Sequence, residues 1–152
     1  QHLGYIYWQR GEYATAAEAY AAGAKLSGAP PWMAAMSARM KADAGSRDAA
    51  REMYQRLYET SDDKTVKEMV VAHLMRLDSL DDRDVITRTI NEFRTSTGRC
   101  PTSWHELLPF FRGKRLRIDP ANGTPMDPTG VAYRLINGGC AVDLGEGSKV
   151  AR

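Results

Sequence analysis

Cysteine is nearly absent from this 152-residue chain, with only Cys100 and Cys140 present. Two cysteines permit at most one internal disulfide and rule out a multiply stapled scaffold. No CxxC pair exists, and no histidine lies near Cys140 in sequence, so a zinc site has no ligand pattern to rest on. Long apolar runs are missing too; the longest span only a few residues, far short of the roughly 20 that a membrane-spanning helix needs. Charge of one sign is also lacking. The net charge is +2 with no long basic run, which argues against a nucleic-acid partner. There is no phosphate-cradling loop and no pair of carboxylates in an apolar setting. Glu12, Glu18 and the other acidic residues fall on polar helical faces, where solvation accounts for them. The expectation is a non-enzymatic chain without a cofactor or metal.

What is present is a core's worth of apolar residues, 43% of the chain, so bulk disorder is not expected. The first residue is Gln1 rather than Met, which reads as a processed or excised chain and leaves an upstream signal or anchor open. Composition shifts near Gly98. Ala, Met, Glu, Arg and Lys dominate before it, whereas five of the seven prolines and most glycines follow. The division expected is residues 1–97, helical, and 98–152, a small loop-rich module.

Paired helices are legible in the first part. Leu3, Gly4 and Tyr7 share one face, and after Gly11 so do Ala16, Ala17, Tyr20 and Ala24. Pro31 suits a first helical turn, with Trp32, Met33, Met36 and Met40 as its stripe up to Gly45. Ala49, Ala50, Met53, Tyr54 and Leu57 then repeat the small-then-aromatic pattern. A third pair is expected over residues 62–80 and 81–98, with Asp81 or Asp82 capping its second helix and Gly98 ending it.

This self-similarity resembles the tetratricopeptide repeat, a helix pair of about 34 residues. Leu3-Gly4, Tyr7, Gly11, Ala16 and Tyr20 fall on that family's motif positions. In the second unit Gly45, Ala50 and Tyr54 do so, while Met36-Ser37 and Met40 fit its first helix only with a one-residue slip in the turn. The third pair lacks the glycine and the small residue, as a degenerate or capping pair would. The resemblance implies a helical-hairpin solenoid stabilised by stacking, which holds a peptide or partner protein on the inner face of each first helix. Carried over by position, that face comprises Tyr5, Trp8, Gln9 and Gln1 in the first unit and Ala34, Ala38 and Lys41 in the second. Packing of Trp8 against an upstream repeat is the alternative.

Residues 98–111, GRCPTSWHELLPFF, place Cys100 five residues ahead of His105. A nucleophile and its base need hydrogen-bond contact and an orienting group, which this spacing across a turn does not supply. The reading favoured instead is a helix start. Ser103 and Glu106 have capping-box spacing, Trp104, Leu107 and Leu108 form an apolar face, and Pro109 or Gly113 ends the helix. His105 then points to solvent. Farther on, Val131–Ile136 and Cys140–Leu144 are β-prone runs joined by Asn137-Gly138-Gly139, a hairpin signal.

Residues 99–150 are similar to the C-terminal part of bacterial pseudopilins. Gly98, Pro101, Thr102, Ser103, Glu106 and Leu107 match that family's helix-end step. Asp119-Pro120 with Gly123-Thr124-Pro125, and Asp127-Pro128-Thr129-Gly130 with Tyr133, match its Asp-Pro loop. The helix over 82–97 would stand in for the pilin spine, although the long apolar N-terminal helix is absent. The resemblance implies a small α+β module of a short helix plus a β-hairpin, and favours a periplasmic or cell-envelope setting with self-association open. Some pseudopilins bind calcium near this loop, and Asp119, Asn122, Asp127 and Asp143 are oxygen donors of the right type; ordinary turn chemistry is the favoured explanation of them. Cys100 and Cys140 are expected to lie close and to be bridged if the protein is exported. Two buried, reduced thiols are the alternative for a cytoplasmic protein. The leading expectation for function is a protein-interaction module, and the second is a structural envelope component tied to secretion or pilus assembly.

Overall fold

The computed structural model describes residues 2–152. It is mainly helical, with a small tail of two β-hairpins. The helices are α1 (His2–Gln9), α2 (Tyr13–Ala24), α3 (Pro31–Asp43), α4 (Arg47–Thr60), α5 (Lys64–Thr97) and α6 (Trp104–Phe111). The strands are β1 (Arg117–Ile118), β2 (Pro125–Met126), β3 (Arg134–Ile136) and β4 (Ala141–Asp143). Two compact units divide between Leu77 and Asp78, inside α5.

The division thus falls twenty residues earlier than the compositional break at Gly98. The third helix pair is likewise a single helix. Asp63 starts it, its carboxylate accepting the Thr65 N–H at 2.8 Å. Asp81 and Asp82 lie mid-helix rather than at a helix start. The reason is local: no glycine or proline occurs between Lys64 and Thr97, so nothing opens the backbone ladder. Gly98, at φ 78°, does end the helix, its N–H reaching the Arg94 carbonyl at 2.7 Å.

In the N-terminal unit, α1 packs on α2, α2 on α3 and α3 on α4. Ala16, Ala17 and Met40 are fully buried with Tyr20. The buried Ser37 hydroxyl donates to the Ala17 carbonyl at 2.8 Å, tying α3 to α2 without an unsatisfied polar group. The first part of α5 brings Val66, Val70 and Leu77 into the buried set, at helical spacing.

The C-terminal unit forms its core on the second part of α5. Ile86, Ile90 and Phe93 meet Leu107 and Phe111 of α6 with Tyr133, Leu144 and Val150. The hairpin β3–β4 pairs Leu135 with Val142, and Asn137, Gly138 and Gly139 all adopt positive φ in its turn. The strands are shorter than the β-prone runs that flank them. A second hairpin, β1–β2, pairs Arg117 with Met126 where the sequence reads only as a loop. Its strands are two residues each, too short for periodicity to register.

Cys100 and Cys140 are joined as a disulfide, with Cα atoms 5.1 Å apart. Gly139 makes this approach feasible: a Cβ there would lie 1.8 Å from the Pro101 carbonyl oxygen. Helix α6 runs through Pro109 and stops before Gly113. The expected capping box is absent. Ser103 makes no side-chain cap bond; Glu106 instead accepts the Thr102 N–H at 2.8 Å and pairs with Arg99. The Arg99 bond, followed by the Thr102 bonds, pulls the Glu106 carboxyl down to about 2.

Tyr133, 2% exposed, closes the core. Its hydroxyl lies 2.9 Å from Ser79 Oγ and 3.0 Å from Asp82 Oδ2. One O–H carries one proton, so the phenol donates to the carboxylate and accepts from the serine. Tyr133→Phe should cost about 1–3 kcal/mol, because Ser79 stays buried and loses its partner; the denaturant midpoint of the C-terminal unit reads this. The Cys100→Ser, Cys140→Ser pair opens a loop whose ends are 40 residues apart. It should cost about 2–4 kcal/mol through the freed unfolded chain, checked by melting the oxidised and substituted proteins side by side.

Candidate interaction surface

Gly4 sets the position of α1. A Cβ at Gly4 would meet the Tyr20 ring at 2.7 Å, so only glycine lets α1 lie this close to α2. With Gly4 turned inward and Tyr7 half-buried, the other side of α1 faces outward. Tyr5 is 49% exposed and Trp8 42%. Their rings sit 5.6 Å apart, and Gln9 Nε2 donates to the Tyr5 hydroxyl at 3.0 Å. The structure therefore brings Tyr5, Trp8 and Gln9 together as one exposed aromatic–amide patch. Leu3, read from the sequence as sharing the face of Gly4 and Tyr7, is instead exposed, and Ile6, which the sequence did not single out, is exposed as well. No residue from His2 to Gln9 carries an acidic or basic chain other than His2. Gln1, also expected on this face, lies outside the described residues.

The second-unit residues do not join that patch. Ala38 is 1% exposed and cannot present itself to a partner. Its position explains why: it follows Gly4 by the same interval that separates Gly11 from Gly45, Ala16 from Ala50 and Tyr20 from Tyr54. Ala38 thus takes the small, inward place of Gly4, and the one-residue slip that aligned Ser37 with Gly4 moved it outward by one position. Lys41 is half-buried. Ala34 borders a shallow depression of about 240 Å³ with Met53, Arg56, Leu57 and Thr60.

The two tyrosines of that interval behave alike. The Tyr20 ring lies against Gly4 of α1 and 6.3 Å from Trp32 of α3. Tyr54 reaches the Ala35 carbonyl of α3 at 3.4 Å and stacks on His73 of α5 at 5.0 Å. Burial pushes the Tyr54 hydroxyl up to about 12, against the opposing pull of Arg76 and Arg39.

Carboxylates in the C-terminal unit serve the fold. Asp127, 1% exposed, accepts the Thr129 N–H at 2.7 Å and the Val131 N–H at 3.2 Å, and its other oxygen takes the Ser148 hydroxyl. Burial works against ionisation there, but the Ser148, Thr129 and Val131 bonds outweigh it and hold the pKa below the usual value. Asp119 and Asn122 cap their own turns through the Ala121 and Thr124 N–H groups. Asp143 bonds the Leu144 N–H and pairs with Arg134 and Arg152. Among the described residues no group of three or more His, Cys, Asp or Glu is placed to hold a metal ion. His105 is exposed, and Cys100 is consumed by its disulfide. No family model, curated protein or solved structure matches the chain.

His73 offers a pH test of the N-terminal unit. Burial, then the charges of Arg39 and Arg76, depress its pKa, while Asp43 pairs with both arginines and the Tyr54 ring covers one face. The unfolded chain therefore binds this proton more readily. Its stabilising contribution is complete above the unfolded pKa of about 6.5 and is lost as pH falls through that value towards the lower folded one. Melting temperatures taken across this window should fall with pH for the wild type and fall less for His73→Gln.

Proposed function

We propose that this protein is a non-enzymatic interaction module. Its N-terminal helices act as tetratricopeptide-like hairpins, and Tyr5, Trp8 and Gln9 bind a peptide or a partner protein. The observation that carries the reading is the patch itself: two large aromatics and an amide held on a rigid helix and left in solvent. Such side chains bind well because they bury much area for little loss of rotamer freedom, and the amide supplies hydrogen bonds to an extended backbone. The shared interval of Gly4 and Ala38, Gly11 and Gly45, and Tyr20 and Tyr54 supports a repeat of about 34 residues. A solenoid built on it stacks unit on unit, with each second-helix tyrosine filling the groove before the next helix.

A second reading, a structural component of the cell envelope associated with secretion or pilus assembly, is favoured by the disulfide. Such bonds persist in oxidising compartments. The buried Asp127, which opens the Asp-Pro-x-Gly stretch, and Tyr133, three residues beyond it, support the likeness to the pseudopilin loop. The two readings are compatible in one exported chain, with the C-terminal module as its envelope element.

Affinity capture from native envelope extract, comparing wild type with Tyr5→Ala, Trp8→Ala, tests the first reading. The double substitution touches exposed residues, so its circular dichroism should match wild type. Its affinity for a captured partner should fall by about thirtyfold or more, as expected for loss of aromatic anchors. Retention of every wild-type partner by the folded double variant would remove this face from consideration.

A further inference from the structure

The C-terminal unit carries a groove bordered by charged and hydrogen-bonding side chains on apolar stems. Three depressions, of about 290, 560 and 330 Å³, adjoin one another through shared lining residues. Arg88 and Glu92 line the first two, and Arg115 lines the first and third. One side is the exposed face of α5, where Val85, Arg88, Glu92 and Thr95 recur at helical steps. The other is the segment 112–117, RGKRLR.

The charges here do not cancel. Lys114 donates to the Glu92 carboxylate at 2.8 Å and to Thr89 Oγ1 at 2.9 Å. Arg117 reaches Asp82 at 3.4 Å. Those two pairs are internally neutral. Arg88 and Arg115 are exposed and pair with no carboxylate among the described residues. Two guanidiniums therefore stand uncompensated where the first depression opens, and Asn91, Thr95 and Ser96 continue the lining with neutral hydrogen-bonding groups.

We propose that this groove binds an acidic, extended segment of a partner protein. Arg88 and Arg115 fork onto its carboxylates, because the planar guanidinium matches a carboxylate with two parallel N–H bonds. Asn91, Thr95 and Ser96 meet its backbone amides. A nucleic acid fits less well. Its phosphates demand a continuous positive track, whereas here the two unpaired arginines are set among charge-balanced pairs and neutral groups. The surface belongs to the other unit from the α1 patch and does not depend on the role proposed there.

The test is fluorescence anisotropy of a labelled peptide alternating Asp or Glu with Gly and Ser, titrated with the whole chain. Wild type should bind it with an affinity that weakens as salt rises. Arg88→Ala with Arg115→Ala should weaken binding by about tenfold or more. Arg88→Lys with Arg115→Lys should retain part of it, since charge survives and the fork does not. Lys25→Ala, exposed in the other unit, should bind as wild type does. Undiminished binding by a folded double-alanine variant would overturn the proposal. So would no binding by wild type, equal loss in Lys25→Ala, equal binding of the Asn/Gln version of the peptide, or tighter binding of a single-stranded oligonucleotide through the same arginines.

Discussion

The continuity of helix α5 is the constraint on which the other features depend. A helix of 34 residues exposes or buries its side chains at a fixed angular step, so its register cannot be chosen separately for each end. Val66, Val70 and Leu77 are buried along its first part, and Ile86, Ile90 and Phe93 join the C-terminal core. Between them lies DSLDDRD, a stretch whose polarity suggests a loop. It stays helical because no glycine or proline there opens the backbone ladder. Ser79 and Asp82 are used from inside the helix, where they hold Tyr133. The same two polar side chains that look like a break in the sequence are the anchor for the β3–β4 hairpin.

Much of the architecture was legible for physical reasons that operate locally. The turns at Gly11, Gly45 and Gly98 and the Asn137-Gly138-Gly139 hairpin turn rest on backbone angles that few other residues adopt. The helices of the N-terminal unit follow from stripes of small and aromatic residues. What was not legible depended on which partner a polar side chain finds, and on strands too short to show a period. The role of Asp82 turned on Tyr133, some fifty positions on. Glu106 was read with Ser103 because their spacing matches a capping box, yet Arg99 and Thr102 offered it charge and two donors. The β1–β2 hairpin, at two residues a strand, left no periodic trace.

The candidate surface shows the same division. Tyr5, Trp8 and Gln9 could be placed because Gly4 fixes which way α1 turns, and a glycine among aromatics is a strong signal of close approach. Ala38 could not, because alanine is at home on either side of a helix; only the interval from Gly4 distinguishes inside from outside. Arg88 and Arg115 escaped notice altogether. They lie far apart in sequence, and the short basic stretch that holds Arg115, RGKRLR, does not show which of its cations are paired. Their significance comes from which neighbouring cations are already neutralised, a matter of pairing rather than of composition.

The bond between Cys100 and Cys140 also changes what breaking the backbone does. It encloses α6, the β1–β2 hairpin and β3 in a covalent ring. The exposed loop tips at Pro120-Ala121-Asn122 and at Gly113 are where a protease would find the chain. A cut at either place leaves both fragments attached, each still carrying its share of the core built on Phe93, Leu107 and Leu144. The C-terminal unit is thereby made tolerant of a nick: strand scission within the ring converts one chain into two linked ones without releasing either, until a reductant opens it.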